Sequence, residues 1–361
     1  MTMRFGERFR ITIFGHSHGP EVGVEIEGIP PGTPIDVGAI QAALDRRRPL
    51  GRRLATKRQE ADALVIDRGI AGGRSDGPLR AHVANEDVRR EPYERIRDTP
   101  RPGHADYPAR IRFGDDADLS GGGIFSGRMT VGLVIAGAVA RTVLAPLRMD
   151  GVGFVREIGG EVAHVDEAAS IAELRAAAAA NEIGCPDPEA SRRMEEAIGR
   201  ARRDGDSVGG IVEVRIAGAP IGLGEPFFDP IESAIAHLAF AVPAVKAIEF
   251  GAGFAAARMR GSEHNDPFAW EGDRVVARTN HAGGILGGLA TGMPIVYRTA
   301  VKPTSSIARP QRTVDLVRRT EAEIVVTGRH DPCIVPRAVV VLESVGWIAL
   351  ADLALRGGYV P

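Results

Sequence analysis

G-H-S-H-G (residues 15–19), near the N-terminus, and G-R-H-D-P-C (residues 328–333), near the C-terminus, carry the same chemistry at opposite ends of the chain. Each places histidine in a tight turn, whereas histidines used only for packing are usually scattered through helices and strands. Because imidazole titrates near neutral pH, such turns favour proton transfer or metal binding. If the two segments share one site, the chain closes on itself, which predicts one large α+β domain over residues 1–361.

A third histidine turn, R-P-G-H-A-D-Y (residues 101–107), and two loops of the C-terminal third enlarge this candidate site. N-H-A-G-G-I-L-G-G (residues 280–288) contains four glycines, which allow a ligand or another backbone to approach closely. K-P-T-S-S (residues 302–306) offers an ammonium group, three hydroxyls and backbone N–H groups, a combination that suits an anion. Each loop alone is a weak signal, but together they indicate an active site.

Two arginine-bearing segments point to anionic ligands. D-R-R-R-P-L-G-R-R (residues 45–53) has five arginines. It is either a solvated or nucleic-acid-binding charge run or a guanidinium cradle for a small polyanion, and the neutral balance of the whole chain favours the cradle. G-G-G-I-F-S-G-R (residues 121–128) places the N–H groups of a helix N-terminus beside Arg128, which suits phosphate. The sequence contains no G-x-G-x-x-G, Walker A or H-E-x-x-H motif.

The composition is that of a globular protein without a bias toward nucleic acid or membrane. Lysine and arginine total 45 and aspartate and glutamate 47, so the formal net charge is −2. The two cysteines form no disulfide framework, and the N-terminus lacks the apolar segment of a signal peptide, so a cytoplasmic location is expected. The longest apolar run, residues 129–147, is interrupted by Arg141 and is expected to be a buried helix instead of a membrane span.

Hydrophobic periodicity and caps predict the order of the elements. Asp36 is expected to cap a helix that ends near residue 48. Residues 50–120, rich in Gly, Pro, Arg and Asp, are expected to hold strands joined by long loops. The other predictions are strands at 10–14, 208–217, 274–278 and 294–301, and helices at 126–147, 168–182, 188–203, 230–242 and 336–356.

Taken in this order, the segments resemble the chorismate synthase family over essentially the whole chain. The match also includes D-S-V-G-G (residues 206–210) and K-A-I-E-F-G-A-G-F (residues 246–254). R-P-G-H-A-D and G-R-H-D-P-C are both specific to that pattern. The resemblance implies a β-α-β sandwich fold and a homotetramer.

The resemblance also implies an activity. The family consists of lyases of the shikimate pathway, which leads to the aromatic amino acids; they convert 5-enolpyruvylshikimate 3-phosphate to chorismate and phosphate by a 1,4-anti elimination. Reduced FMN is required, although the reaction has no net redox change. NADPH would serve only as an indirect reductant. Because the sequence shows no dinucleotide fingerprint, we expect an external flavin reductase instead of reduction by the chain itself.

Site residues follow from the resemblance as well. His104 would lie near the flavin and control its protonation, His18 would protonate the departing phosphate, and Asp331 would assist proton removal from C6 through the flavin N5. The hydroxyls of Ser17 and Ser126 would support these proton transfers. The arginines expected to bind substrate anions are Arg47, Arg53 and Arg128. The residues expected to contact FMN are Phe125, Ser126, Gly127, Pro243, Ala244, Gly287, Lys302, Pro303, Thr304, Ser305, Ser306 and Arg329.

Two rival functions belong to other classes. A metal-dependent hydrolase could use the clustered histidines and Asp331 as ligands, but the surplus of arginine and lysine around them disfavours a dication, so no metal is expected. A non-catalytic flavin- or anion-binding homologue is suggested by His16, which stands where the family commonly has glutamate. The presence of His18, His104, Arg329 and Asp331 disfavours that second alternative.

Overall fold

The computed structural model describes residues 3–48, 62–85, 98–114, 120–326 and 331–361. Its strands are, in chain order, β1 (Arg4–Phe5), β2 (Arg10–Gly15), β3 (Glu21–Glu27), β4 (Leu64–Ala71), β5 (Arg74–Ala84), β6 (Asp150–Ile158), β7 (Glu161–Val162), β8 (Gly210–Ala217), β9 (Val245–Phe250), β10 (Phe268–Glu271), β11 (Arg274–Ala277), β12 (Ile285–Leu286), β13 (Leu289–Ala290), β14 (Ile295–Val301), β15 (Gln311–Asp315) and β16 (Thr320–Ile324). Its α-helices are α1 (Val37–Arg46), α2 (Asp106–Phe113), α3 (Thr130–Val143), α4 (Ile171–Ala179), α5 (Pro188–Arg203), α6 (Ile231–Ala241), α7 (Gly261–His264) and α8 (Val335–Arg356).

Two five-stranded antiparallel sheets enclose a layer of helices. The strand order is β1-β2-β3-β5-β4 in the first sheet and β7-β6-β8-β14-β9 in the second. Helix α3 packs on the first sheet and α8 on the second, and the two helices also pack on each other. The architecture is a β-α-β sandwich, which confirms the predicted α+β fold class.

The inward face of the first sheet follows from the two-residue alternation of its strands. On β3, Val22, Val24 and Ile26 are fully buried. The glutamates at the alternate positions of the strand are only partly buried. An antiparallel sheet with one covered face has this pattern, because successive side chains point to opposite sides.

Small residues let α3 approach its neighbours closely. A Cβ on Gly137 would lie 2.3 Å from the Cβ of Ser344 on α8, and a Cβ on Gly132 would lie 2.6 Å from the Cδ1 of Ile13 on β2. Larger side chains at these two positions would force the layers apart.

Helix α8 occupies the middle of the protein. Within the described residues it alone is long and apolar enough to cross a membrane by length and composition, and its apolar window is 89% buried inside the protein. A core helix passes the same test because it is apolar on all sides.

The N-terminal segment contacts the last helix of the chain. Asp352, near the end of α8, accepts hydrogen bonds through Oδ1 from the backbone N–H groups of Glu7, Arg8 and Phe9 at 2.9, 2.7 and 2.9 Å. One carboxylate therefore fastens the N-terminal segment to the last helix.

Most predicted elements are confirmed to within a few residues. Helix α5 has the predicted bounds, and Asp36 caps α1 by accepting from the N–H of Ala39 at 3.0 Å. Helix α4 is shorter than predicted, because a capping box of Ser170 and Glu173 sets its start. Helix α2 lies where only strands and loops were expected: it is short, and its N-cap makes no side-chain hydrogen bond, so it has no strong sequence signal.

Candidate active site

A cavity of about 240 Å³, named here the arginine cavity, lies where the ends of α1 and α6 meet the starts of α3 and α8. Five of the predicted site residues line it. They are Arg47, Ser126, Gly127, Arg128 and Pro243. The rest of the lining is Thr130, Val242, Ile334, Arg337, Ala338 and Val341.

Arg47 and Arg128 meet on one carboxylate. Asp62 accepts from Arg47 Nη1 through Oδ2 at 3.0 Å and from Arg128 Nη1 through Oδ1. All three side chains are almost completely buried. Arg47 also donates from Nε to Thr130 Oγ1 at 3.1 Å and from Nη2 to the carbonyl of Gly127 at 3.0 Å, so its plane is held on every side.

Arg337 adds a third guanidinium group from the side of α8. Its Nη1 donates to Asp331 Oδ2 at 2.6 Å and its Nε donates to the carbonyl of Arg47 at 3.2 Å. Burial and the charges of Arg337 and Arg128 lower the pKa of Arg47, while Asp62 raises it. Three guanidinium groups thus share two carboxylates around one cavity, and this excess of positive charge favours an anionic ligand.

The first histidine turn lies against the glycine-rich segment. Ser17 Oγ lies 3.1 Å from Nδ1 of His18, and both residues are buried. Gly121 has φ +59° and lies beneath the His18 ring, since a Cβ there would be 1.9 Å from the ring Cε1. The predicted helix start lies at Ser126, which caps a 3-10 turn (Gly127–Met129) that leads directly into α3, whereas Gly121 makes room for the His18 ring.

Asn85 joins this turn to the arginine cavity. Its Nδ2 donates to the carbonyls of His16 and Gly19 at 3.1 and 2.9 Å, and its Oδ1 accepts from Arg128 Nε at 2.8 Å. The side-chain hydroxyl of Ser126, meanwhile, accepts from the N–H of Arg128 at 3.3 Å. The position of Arg128 is therefore set by side chains from several segments.

His104 lies in a separate cluster with the K-P-T-S-S loop. Its Nε2 is 2.9 Å from Ser306 Oγ and its Nδ1 is 3.1 Å from the carbonyl of Pro102. Arg101 and Asp106 form a bidentate pair at 2.7 and 2.8 Å that closes the turn. Burial and the charge of Arg101 lower the pKa of His104 to about 4. The ring is therefore neutral near pH 7.

The K-P-T-S-S loop carries a buried polar group that has no hydrogen-bond partner in the described part of the chain. Lys302 donates from Nζ to the carbonyl of Gly103 at 2.9 Å, and burial and the charge of Lys246 lower its pKa. The Oγ1 of Thr304 is buried and has no hydrogen-bond partner among the described residues. A buried hydroxyl in this state suits a ligand that can bond to it.

The D-S-V-G-G segment supports that loop from below. Ser207 Oγ donates to the carbonyl of Thr304 at 2.6 Å, and a Cβ on Gly209 would lie 2.4 Å from the carbonyl oxygen of Val301. The loop is joined to the arginine cavity through the backbone, since the N–H of Lys302 donates to the carbonyl of Ala244 at 2.9 Å. Pro243, the preceding residue, lines the cavity.

Gly287 is not brought together with the other predicted FMN contacts. Its neighbour Gly288 packs on Pro230, the N-cap of α6, whereas Pro243 follows the other end of that helix. Since α6 has 11 residues, the two ends are about 16 Å apart. Phe125 is 40% exposed beside Phe113. The predicted residues Arg53 and Arg329, and also His330, lie outside the described residues.

Sequence reasoning missed Asp62, Asn85 and Arg337. An arginine in the first turn of a helix is unfavourable for the helix dipole, and this could have marked Arg337, the third residue of α8. Asp62 and Asn85 lie beside strands β4 and β5 and carry no motif. Only the contacts made in the folded protein identify them.

The described residues hold no group of three or more His, Cys, Asp or Glu side chains placed to bind a metal ion. Two of the histidines considered as ligands for the hydrolase alternative, His18 and His104, lie in different clusters. His18 lies with Ser17 and Gly121, while His104 lies with Ser306.

Comparison with known proteins gives the family. The family model described as chorismate synthase matches residues 9–355. The chain is 48% identical over 353 residues to a chorismate synthase of Korarchaeum cryptofilum, with 98% of this chain and 97% of the relative covered. It is 49% identical over 351 residues to one of Aeropyrum pernix, with 97% and 92% covered. The chain belongs to the chorismate synthase family.

A solved structure agrees with this assignment. A chorismate synthase crystal structure superposes with a TM-score of 0.77 at 27% sequence identity, over 98% of this chain and 93% of the other. The resemblance drawn from the sequence is confirmed. The chain is therefore an enzyme, a lyase of the shikimate pathway. This pathway leads to the aromatic amino acids.

Proposed function

We propose that the chain converts 5-enolpyruvylshikimate 3-phosphate to chorismate and phosphate by 1,4-anti elimination, with reduced FMN bound. The observation that carries the proposal is the arginine cavity, in which Arg47 and Arg128 both pair with Asp62, and Arg337 pairs with Asp331. The substrate bears two carboxylates and a phosphate, so its charge matches this excess of cations.

The K-P-T-S-S loop fits the phosphate group of FMN. Four groups of the loop would donate to it: the Oγ1 of Thr304, which is buried without a partner among the described residues, the ammonium of Lys302, and the hydroxyls of Ser305 and Ser306. Pro243 and Ala244, together with Ser126 and Gly127, would hold the ring side of the cofactor. Reduced FMN, when bound, supplies an electron-rich ring beside the substrate without net redox change.

Proton transfers are assigned to three residues of the chain. His18, held by Ser17 and packed on Gly121, would donate a proton to the departing phosphate. Asp331, held by Arg337, would assist removal of the proton from C6. His104, neutral near pH 7, would accept a proton or hydrogen bond through Nε2 in exchange for its bond to Ser306.

We infer a homotetramer, and the position of Gly287 supports an arrangement in which subunits share sites. The resemblance assigns Gly287 to FMN, yet it lies at the far end of α6 from Pro243. A second copy could supply it to the cofactor site. A cytoplasmic location and an external flavin reductase, with NADPH as the indirect source of electrons, complete the proposal.

The test is an anaerobic assay with photoreduced FMN and 5-enolpyruvylshikimate 3-phosphate. We expect chorismate and phosphate in equal amounts, and no chorismate when FMN is oxidised and no reductant is present. Treatment with EDTA should leave the rate unchanged. Loss of activity with EDTA and its recovery with zinc would instead support the metal-dependent alternative.

A further inference from the structure

We propose that Asp62 is a positioning residue of the active site, which orients the guanidinium groups of Arg47 and Arg128 to receive the phosphorylated substrate. This inference rests on the proposed function and adds a residue to it. Asp62 belongs to none of the sequence motifs that mark the site.

The geometry divides the carboxylate between the two arginines. Oδ2 accepts a hydrogen bond from Arg47 at 3.0 Å, and Oδ1 accepts one from Arg128. The Asp62 side chain is only 3% exposed. The two arginines come from different elements, since Arg47 follows α1 and Arg128 precedes α3. Asp62 is therefore the side chain that bridges two charged groups of one cavity, while the other contacts of each arginine are made to different residues.

The backbone does not explain the choice of aspartate. Asp62 has φ +43°, a left-handed conformation that asparagine and glycine adopt at least as readily. Either residue would avoid the burial of a carboxylate, which is costly unless the carboxylate is paired. The carboxylate is thus needed for the arginines and not for the turn.

Attraction between the cavity and its ligand does not explain the aspartate either. A negative charge between Arg47 and Arg128 weakens their attraction for an anionic substrate. A cavity that used the arginines only for their charge would bind anions better without Asp62. What the carboxylate adds is a fixed orientation of the two guanidinium groups, because the N–H donors of each group lie in one plane.

Two substitutions distinguish the orientation of the arginines from the negative charge of Asp62. Asp62→Asn keeps the size and suits the backbone, but its amide nitrogen cannot accept from an arginine. Asp62→Glu keeps the charge and displaces the carboxylate by one methylene group. We expect each variant to raise the Kd of 5-enolpyruvylshikimate 3-phosphate on flavin-free protein, measured by calorimetry, by about 10–100-fold. If Asp62 only offsets charge, the Asn variant binds more tightly and the Glu variant is unchanged, and either result overturns the proposal.

Glu213→Gln is the matched control. Glu213 is fully buried in the second sheet and accepts from Arg215 Nε at 2.7 Å and Arg298 Nε at 2.8 Å. It is thus also a carboxylate between two arginines, but it is not part of the cavity lining. Its variant should be destabilised in urea unfolding yet bind the substrate within about 2-fold of the wild type. An equal loss of affinity in this control would show that destabilisation alone explains the Asp62 variants.

Inorganic phosphate distinguishes failure of this inference from failure of the proposed function. If the wild type binds phosphate but not the enolpyruvyl substrate, the proposed function is wrong, and weaker phosphate binding by both Asp62 variants still supports positioning. Tighter phosphate binding by Asp62→Asn contradicts positioning in either case. If the Asn variant does not fold, the Glu variant decides alone, and an unchanged affinity overturns the inference.

Discussion

The Nε2 of His104 lies 2.9 Å from the Oγ of Ser306, in a contact between residues 202 positions apart. The carbonyl of Pro102 can only accept, so Nδ1 of His104 carries the hydrogen of the neutral ring and Nε2 accepts from the serine hydroxyl. Two segments that the sequence marks separately, R-P-G-H-A-D-Y and K-P-T-S-S, therefore form one hydrogen-bonded unit.

His104 should make stability depend on pH. Burial and Arg101 lower its pKa to about 4 in the folded protein, against about 6.5 in the unfolded chain. Between these values the unfolded chain binds more protons, so the free energy of unfolding should fall as the pH drops through this window. Urea unfolding at about pH 7 and about pH 5 measures this loss of unfolding free energy. We expect it to be smaller in His104→Asn than in the wild type. Equal losses in both proteins, or an imidazole that titrates near pH 6.5 by NMR, would contradict this assignment.

Thr304→Val should have opposite effects on the free and flavin-bound protein. Valine removes a buried hydroxyl that has no partner among the described residues, so the flavin-free protein should gain up to about 1 kcal/mol of stability. Binding of FMN should weaken about 10-fold, because a donor to the phosphate is lost. Fluorescence titration with FMN and thermal unfolding without it measure the two effects. Unchanged FMN affinity would show that the hydroxyl does not face the cofactor.

Gly137→Ala should destabilise the protein although alanine favours helix. The added Cβ would lie 2.3 Å from the Cβ of Ser344, so α3 and α8 must separate, at a cost of about 1–3 kcal/mol in the free energy of unfolding. Ser344→Gly in the same protein should restore part of the loss.

The control for this helix contact is Gly199→Ala on α5. Its nearest neighbour, 3.6 Å away, is the flexible end of Arg203, so this variant should be neutral or gain up to about 1 kcal/mol. Denaturant unfolding of Gly137→Ala, Gly199→Ala and the Gly137→Ala/Ser344→Gly double variant measures these differences in stability. Equal effects at both glycines would mean that the α3–α8 contact relaxes freely.

Asp352→Ala should loosen the closure of the chain. The substitution leaves the N–H groups of Glu7, Arg8 and Phe9 without their acceptor, which should cost about 2–4 kcal/mol of unfolding free energy. Asp36→Ala removes an exposed cap of a single N–H and should cost only about 1 kcal/mol. Hydrogen exchange should show faster opening of residues 7–9 in the Asp352 variant alone. Slow exchange there would mean that other contacts hold the N-terminus.

Local patterns in the sequence determined the elements and the family. The cap at Asp36 and the bounds of α5 depend on residues a few positions apart, so they can be predicted from the sequence alone. The sandwich followed from the motif resemblance and is confirmed by the two sheets around α3 and α8. Helix α2 was not predicted, because a short helix without a side-chain cap has little local sequence signal.

Only the tertiary structure decided which of the marked residues meet. It places Asp62 between Arg47 and Arg128, and Gly121 beneath His18, although no spacing in the sequence relates these residues. It also separates Gly287 from Pro243 by the length of α6, although the family pattern assigns both to one cofactor. The physical reason is that hydrogen bonds and ring contacts act over a few ångströms in space. The packing of two sheets around α3 and α8, and not distance along the chain, determines which groups come that close.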